Sequence, residues 1–143
     1  MPDKIAAQIE KFHTAARQLW IGDLDTWAKP AFHMIEIPKI AAYTLFDYNV
    51  LLFNPDYYYP NQPDYLFETV GHEMGHLIAA RLYGEKAIVR PHGKEWRHVM
   101  IVLGIPPKIY HSYPDPKRAD TVALTMLTTG AACKKKPNNS CIV

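Results

Sequence analysis

His72-Glu73-Met74-Gly75-His76 places two imidazoles four residues apart, with a carboxylate directly after the first. On a helix, residues i and i+4 lie one turn apart on the same face. Both rings can then reach one ion at about 2.0–2.1 Å. The glutamate points beside such an ion, not at it, which suits a general base acting on activated water. The chemistry this spacing offers is zinc-assisted hydrolysis. Zinc lowers the pKa of water from 15.7 towards about 7 and polarises a carbonyl.

A catalytic zinc needs a third protein ligand and an open position. Ala79 and Leu82 stand where a metzincin requires Gly and His, which excludes that class. Glu95 is the candidate for a thermolysin-like arrangement, and His92, His98 and His111 are the other candidates. His92 leads by position. It follows the turn expected at Gly84 and precedes Gly93, where the backbone can approach a metal closely. His98 lies deeper in a second helix and reads as a packed or surface residue. Spacing alone leaves the choice open.

These side chains need elements to hold them. Asp64 can cap a helix running to about Tyr83 and stopped by Gly84. Leu66, Phe67, Val70, Met74, Leu77 and Ile78 make one apolar face. His72 and His76 share the opposite side with Ala79, Ala80 and Tyr83. A helix apolar on both sides is a core helix, and histidines buried in it need partners. A second helix is expected from about Lys94 to Leu103, with Trp96, Val99, Met100 and Leu103 facing inward and Trp96 packing against the metal helix. Upstream, residues 3–20 read as a helix capped by Asp3, with Ile5, Ile9, Phe12, Ala16 and Leu19 at helical spacing. Ala31 to Ile37 alternates like a strand. Ala42 to Phe46 and Tyr48 to Phe53 suggest an antiparallel pair turning at Asp47. Asn54 to Pro63 has three prolines and reads as a loop. Ile109 to Tyr113 suggests a short extended piece, and Lys134 to Val143 a frayed tail. Ala119 to Leu127 fits helix or strand.

The 143-residue chain is 48% hydrophobic and 21% charged, which fits one folded domain and excludes whole-chain disorder. The longest apolar run noted, Val99 to Leu103, is far short of the roughly 20 residues a membrane span needs. Met1 to Phe12 is polar and amphipathic, unlike a signal peptide. Cys133 and Cys141 cannot form a disulfide framework. A cytoplasmic protein without membrane partners is the expectation. Residues 1–71 carry 5 Lys or Arg against 9 Asp or Glu, whereas residues 72–143 carry 11 against 5. The basic second half is compatible with an anionic partner such as DNA, but equally with a solvated face and a Lys-rich tail.

His72-Glu73-Met74-Gly75-His76-Leu77, followed by Pro91-His92-Gly93-Lys94-Glu95-Trp96, resembles the SprT-like (Spartan-like) zinc metallopeptidases. The resemblance covers about residues 40 to 113, including Asn49 to Pro55 and Tyr110-His111-Ser112-Tyr113. It implies one catalytic Zn2+ on His72, His76 and His92, with Glu73 as the catalytic acid–base residue. The implied fold is a small α+β, zincin-like metallopeptidase domain with the metal helix beside a short, mainly antiparallel sheet. That domain would span residues 1–118, with 119–143 as an extension. Full-length bacterial members carry a C-terminal zinc ribbon, which two cysteines cannot complete, so DNA dependence does not carry over directly. The implied partners are a protein or peptide substrate and, through DNA-associated proteins, DNA. Tyr110, His111 and Tyr113 are candidate oxyanion donors or substrate contacts, though packing fits their aromatic character better. The competing reading is a non-catalytic zinc-containing module that binds DNA or protein. Glu73 argues against it, because a structural site does not require that carboxylate and usually closes with cysteine.

Overall fold

The computed structural model describes residues 2–116, 134–135 and 141–142. Helix α1 spans Asp3–Leu19 and buries Ile5, Ile9, Phe12, His13 and Ala16, a stripe at helical spacing. Each large apolar side chain so buried contributes about 1.5–3 kcal/mol. Asp3 is the first helical residue, not the cap. Pro2 precedes it, and its carbonyl accepts from Ala6 N at 2.9 Å, so no side chain caps the helix.

Strands β1 (Ala31–Met34), β2 (Ala42–Leu45) and β3 (Val50–Phe53) form one sheet in the order β1-β3-β2. The β2–β3 pair is antiparallel, as its spacing predicts, and turns through Phe46–Tyr48. Asn49 follows at φ 52°, a left-handed conformation that Asn tolerates well. The sheet as a whole is mixed, not mainly antiparallel, because β1 runs parallel to β3. A period of two marks a strand but not its direction. Strand β3 inserts between β1 and β2, parallel to β1 and antiparallel to β2. Strand β1 also stops at Met34, short of Ile37. The chain then turns at Ile37–Ile40, where Asn54 Nδ2 donates to the carbonyls of Ile37 and Ile40 at 2.8 and 3.0 Å.

Asn54 corrects the loop expected from 54 to 63. Its side chain accepts from Asp56 N at 3.0 Å and starts a one-turn helix, α2 (Pro55–Tyr58). The signal was an N-cap followed by Pro at the first helical position. Tyr57 and Tyr58 are buried, while Tyr59 is exposed.

The metal-motif helix also departs from expectation at its start. Residues Tyr65–Thr69 form a π-helical turn, and α3 proper runs Val70–Tyr83. Asp64 makes no capping bond. Helix α3 is buried nearly all round, as its double apolar character requires, packing on α1, on β2 and on α4 (Lys94–Leu103). Trp96, Val99 and Met100 of α4 face inward. Gly75 permits this approach: a Cβ there would lie 2.7 Å from Met100 Sδ and 3.1 Å from Trp96 Nε1. Gly104, at φ 77°, ends α4 in the left-handed conformation.

Ile109 to Tyr113 pairs with no strand among the described residues. It belongs to an irregular segment returning over the start of α3. The tail read as frayed holds a two-residue antiparallel pair, β4 (Lys134–Lys135) and β5 (Cys141–Ile142). Ala119 to Leu127 lies outside the described residues. No helix among the described residues is long and apolar enough to cross a membrane.

Candidate metal centre

Helix α3 sets His72 and His76 one turn apart, with their Nε2 atoms 3.2 Å from each other. His92 comes from the connector before α4. Its Nε2 lies 3.2 Å from that of His76 and 3.0 Å from that of His72. Ligands around a tetrahedral ion at 2.0–2.1 Å stand about 3.3–3.4 Å apart, so the three nitrogens form one face of such a site. These three residues can hold a metal ion.

Two backbone features bring His92 in. Gly84, at φ 85°, reverses the chain after α3. At Gly93 the chain folds tightly on itself, with Gly93 N donating to Arg90 O at 3.0 Å. A Cβ on Gly93 would lie 3.1 Å from that carbonyl. Glu95 and His111 are not in the cluster, and His98 is exposed. Trp96 is fully buried behind the three rings, with centroids 4.8 Å from His72 and His92 and 5.6 Å from His76. Its indole N–H donates to His72 O at 3.2 Å, which ties α4 to the metal helix.

The histidine chemistry suits a cation. Lys108 O accepts from His72 Nδ1 at 3.1 Å. A carbonyl can only accept, so the proton sits on Nδ1 and the Nε2 lone pair faces the cluster. Burial, reinforced by the neighbouring imidazoles, pushes His72 down to about 4 and His76 down to about 3. Burial and Arg97 lower His92 as well. All three rings are therefore neutral near pH 7, as metal ligation requires.

Glu73 is not one of the three clustered groups. It is 8% exposed, and Thr44 Oγ1 of β2 donates to its Oε2. Burial raises its carboxyl to about 7, against a lowering pull from the Thr44 hydroxyl. Nothing local in the sequence pointed to Thr44, which stands 29 positions upstream. The Lys108 carbonyl was equally invisible, since any residue type supplies one.

A cleft of about 510 Å³ opens over this group. The edge strand β2 forms one wall and the segment Lys108–His111 another. An ion pair between Lys108 Nζ and Glu68 Oε1, at 3.2 Å, ties that segment to the π-helical turn. Tyr110, His111 and Tyr113 all line the cleft, with different environments. Tyr110 is 81% exposed. The Tyr113 hydroxyl is engaged with Thr69 Oγ1 at 3.0 Å, and its ring stacks on Tyr65 and His111, which is a packing role. His111 Nδ1 accepts from Tyr113 N at 3.2 Å, leaving its proton on Nε2.

These shifts set the pH response of the metal-free fold. Histidines held below their unfolded value add stability above about pH 6.5 that is lost as pH falls towards 3–4. Glu73, raised from 4.5 to about 7, works oppositely and adds stability as pH falls through that range. Two strongly shifted imidazoles, with His92 in the same sense, outweigh one carboxyl. Chelator-treated protein should therefore show a lower urea midpoint at pH 5 than at pH 7. A midpoint that is flat or rises on acidification would contradict this assignment of charge.

The SprT-like family model matches residues 11–111. Protein SprT of Pseudomonas aeruginosa (strain PAO1) is 34% identical over 122 residues, covering 85% of this chain and 71% of that protein. Protein SprT of Pseudomonas syringae pv. syringae is 32% identical over 120 residues, covering 83% and 70%. Protein SprT of Pseudomonas fluorescens (strain Pf-5) is 45% identical over 74 residues, covering 51% and 44%. No solved structure matches the chain significantly.

Proposed function

The chain belongs to the SprT-like family, and on that premise we propose that it is a cytoplasmic zinc metallopeptidase with a zincin-like catalytic domain in residues 1–118. The single observation that carries the proposal is the convergence of three imidazoles in an open cleft that is also lined by a buried, hydrogen-bonded Glu73. His72, His76 and His92 hold the ion. An all-imidazole set at tetrahedral spacing fits zinc. When bound, zinc supplies Lewis acidity, polarising a peptide carbonyl and making water acidic near neutral pH.

The protein's own groups do the rest. A peptide substrate would lie in the cleft between β2 and the segment Lys108–His111. Glu73, as carboxylate, takes the proton of the attacking water. It then delivers a proton to the nitrogen of the leaving amine. His111 presents an N–H donor on the cleft wall, available to a substrate carbonyl oxygen.

The substrate is a protein or peptide, and DNA-associated proteins are the class we propose, given the basic excess in residues 72–143. Metal analysis combined with cleavage of casein, with and without single-stranded DNA, tests the reading. One zinc per chain and chelator-sensitive cleavage are expected. One zinc with no cleavage under either condition would favour the non-catalytic binding module instead.

A further inference from the structure

Helix α3 fixes the Cα of Glu73, but its carboxylate sits at the end of three rotatable bonds. Freezing such a side chain costs conformational entropy. A group that takes a proton from one atom and gives it to another must nevertheless stay within hydrogen-bond reach of both. Some other element has to hold it.

We propose that Thr44 is the positioning residue for Glu73. The proposal rests on the peptidase reading for its catalytic consequence, and on geometry alone for the contact. Thr44 is 5% exposed and belongs to β2, whose backbone is fixed by pairing with β3 in the register Thr44 opposite Leu51. Threonine is stiff at its one side-chain torsion, so its hydroxyl is a rigid donor. That hydroxyl donates to Glu73 Oε2. It also lies 3.5 Å from the main-chain carbonyl of Glu73. At that distance the carbonyl is a marginal partner, and Oε2 is the acceptor. With Glu73 as carboxylate, the proton points to Oε2. With Oε2 held by the Thr44 hydroxyl, Oε1 is the oxygen left to take a proton and give it up, and Oε2 accepts from the hydroxyl whether or not Oε1 carries one. Because Thr44 also lines the cleft wall, the strand beside the peptide is the strand that aims the base.

The test uses the full chain loaded with zinc and compares Thr44→Val, which keeps shape but loses the donor, with Thr44→Ser, which keeps the hydroxyl. Thr44→Val should lower kcat about 10- to 100-fold, part of the range general acid–base catalysis supplies. KM and zinc content should stay at wild-type values, and Thr44→Ser should recover to within about threefold. A second readout needs no activity: in metal-free protein, Thr44→Val should lower the urea midpoint of the wild-type chain by more than that of a Glu73→Ala chain. The proposal is overturned if Thr44→Val keeps its kcat while Glu73→Gln loses it, or if Thr44→Ser fails as badly as Thr44→Val. Should Glu73→Gln itself remain active, the peptidase reading falls, and the metal-free comparison then decides the Thr44 contact: equal midpoint losses in both backgrounds would overturn it.

Discussion

Under the proposed mechanism, Glu73→Gln should abolish peptide hydrolysis and leave the metal in place. The amide is nearly isosteric with the carboxylate and can still accept a hydrogen bond from Thr44, but it cannot take up a proton. Positioned acid–base groups contribute about 10²–10⁴-fold to rate. Glu73 is proposed to act in both proton transfers, so the loss in kcat should lie at the upper end of that range. The three imidazole nitrogens do not involve Glu73, so metal content should stay at one per chain and KM should change little. Measuring zinc by mass spectrometry alongside casein cleavage separates the two effects. Wild-type rates in a zinc-loaded Glu73→Gln protein would remove the carboxylate from the mechanism. Loss of the metal would show that Glu73 supports the site and not the chemistry.

His92→Ala should severely weaken metal binding. It leaves two imidazoles on one helix, and two nitrogens cannot hold zinc as three do. Outer partners of metal ligands typically cost about 10- to 100-fold in affinity when removed, and losing a ligand should exceed that, by about 10³-fold or more. Activity falls with occupancy. Glu95→Ala and His98→Ala are the controls, because neither side chain joins the cluster. Both should keep one zinc at near wild-type affinity in a competition titration against a chelator. Unchanged affinity in His92→Ala, with loss in Glu95→Ala, would transfer the third position to Glu95.

Features encoded by neighbours along the chain were legible before any coordinates. The i, i+4 histidine pair, the reversal at Gly84, the span of α4 and its stop at Gly104 all follow from helix periodicity and glycine conformation. Local reading failed where a rarer pattern operated. Asn54-Pro55 starts a helix inside what looks like loop, and Tyr65–Thr69 widens to a π-turn that apolar spacing does not distinguish from an α-turn.

The sequence by itself determined that this chain carries a two-imidazole, one-carboxylate helix, because within about four residues backbone geometry dictates which side chains meet. It also supplied the relatives, since those motifs are strings of residues. Only the tertiary structure decided which groups meet that helix: His92, and not Glu95, beside the two imidazoles, Thr44 against Glu73, the Lys108 carbonyl on His72, and the parallel placement of β1. Those contacts join positions 16 to 36 residues apart. At such separations helical or strand periodicity carries no information. Which groups touch is settled by how turns close and which apolar faces pack.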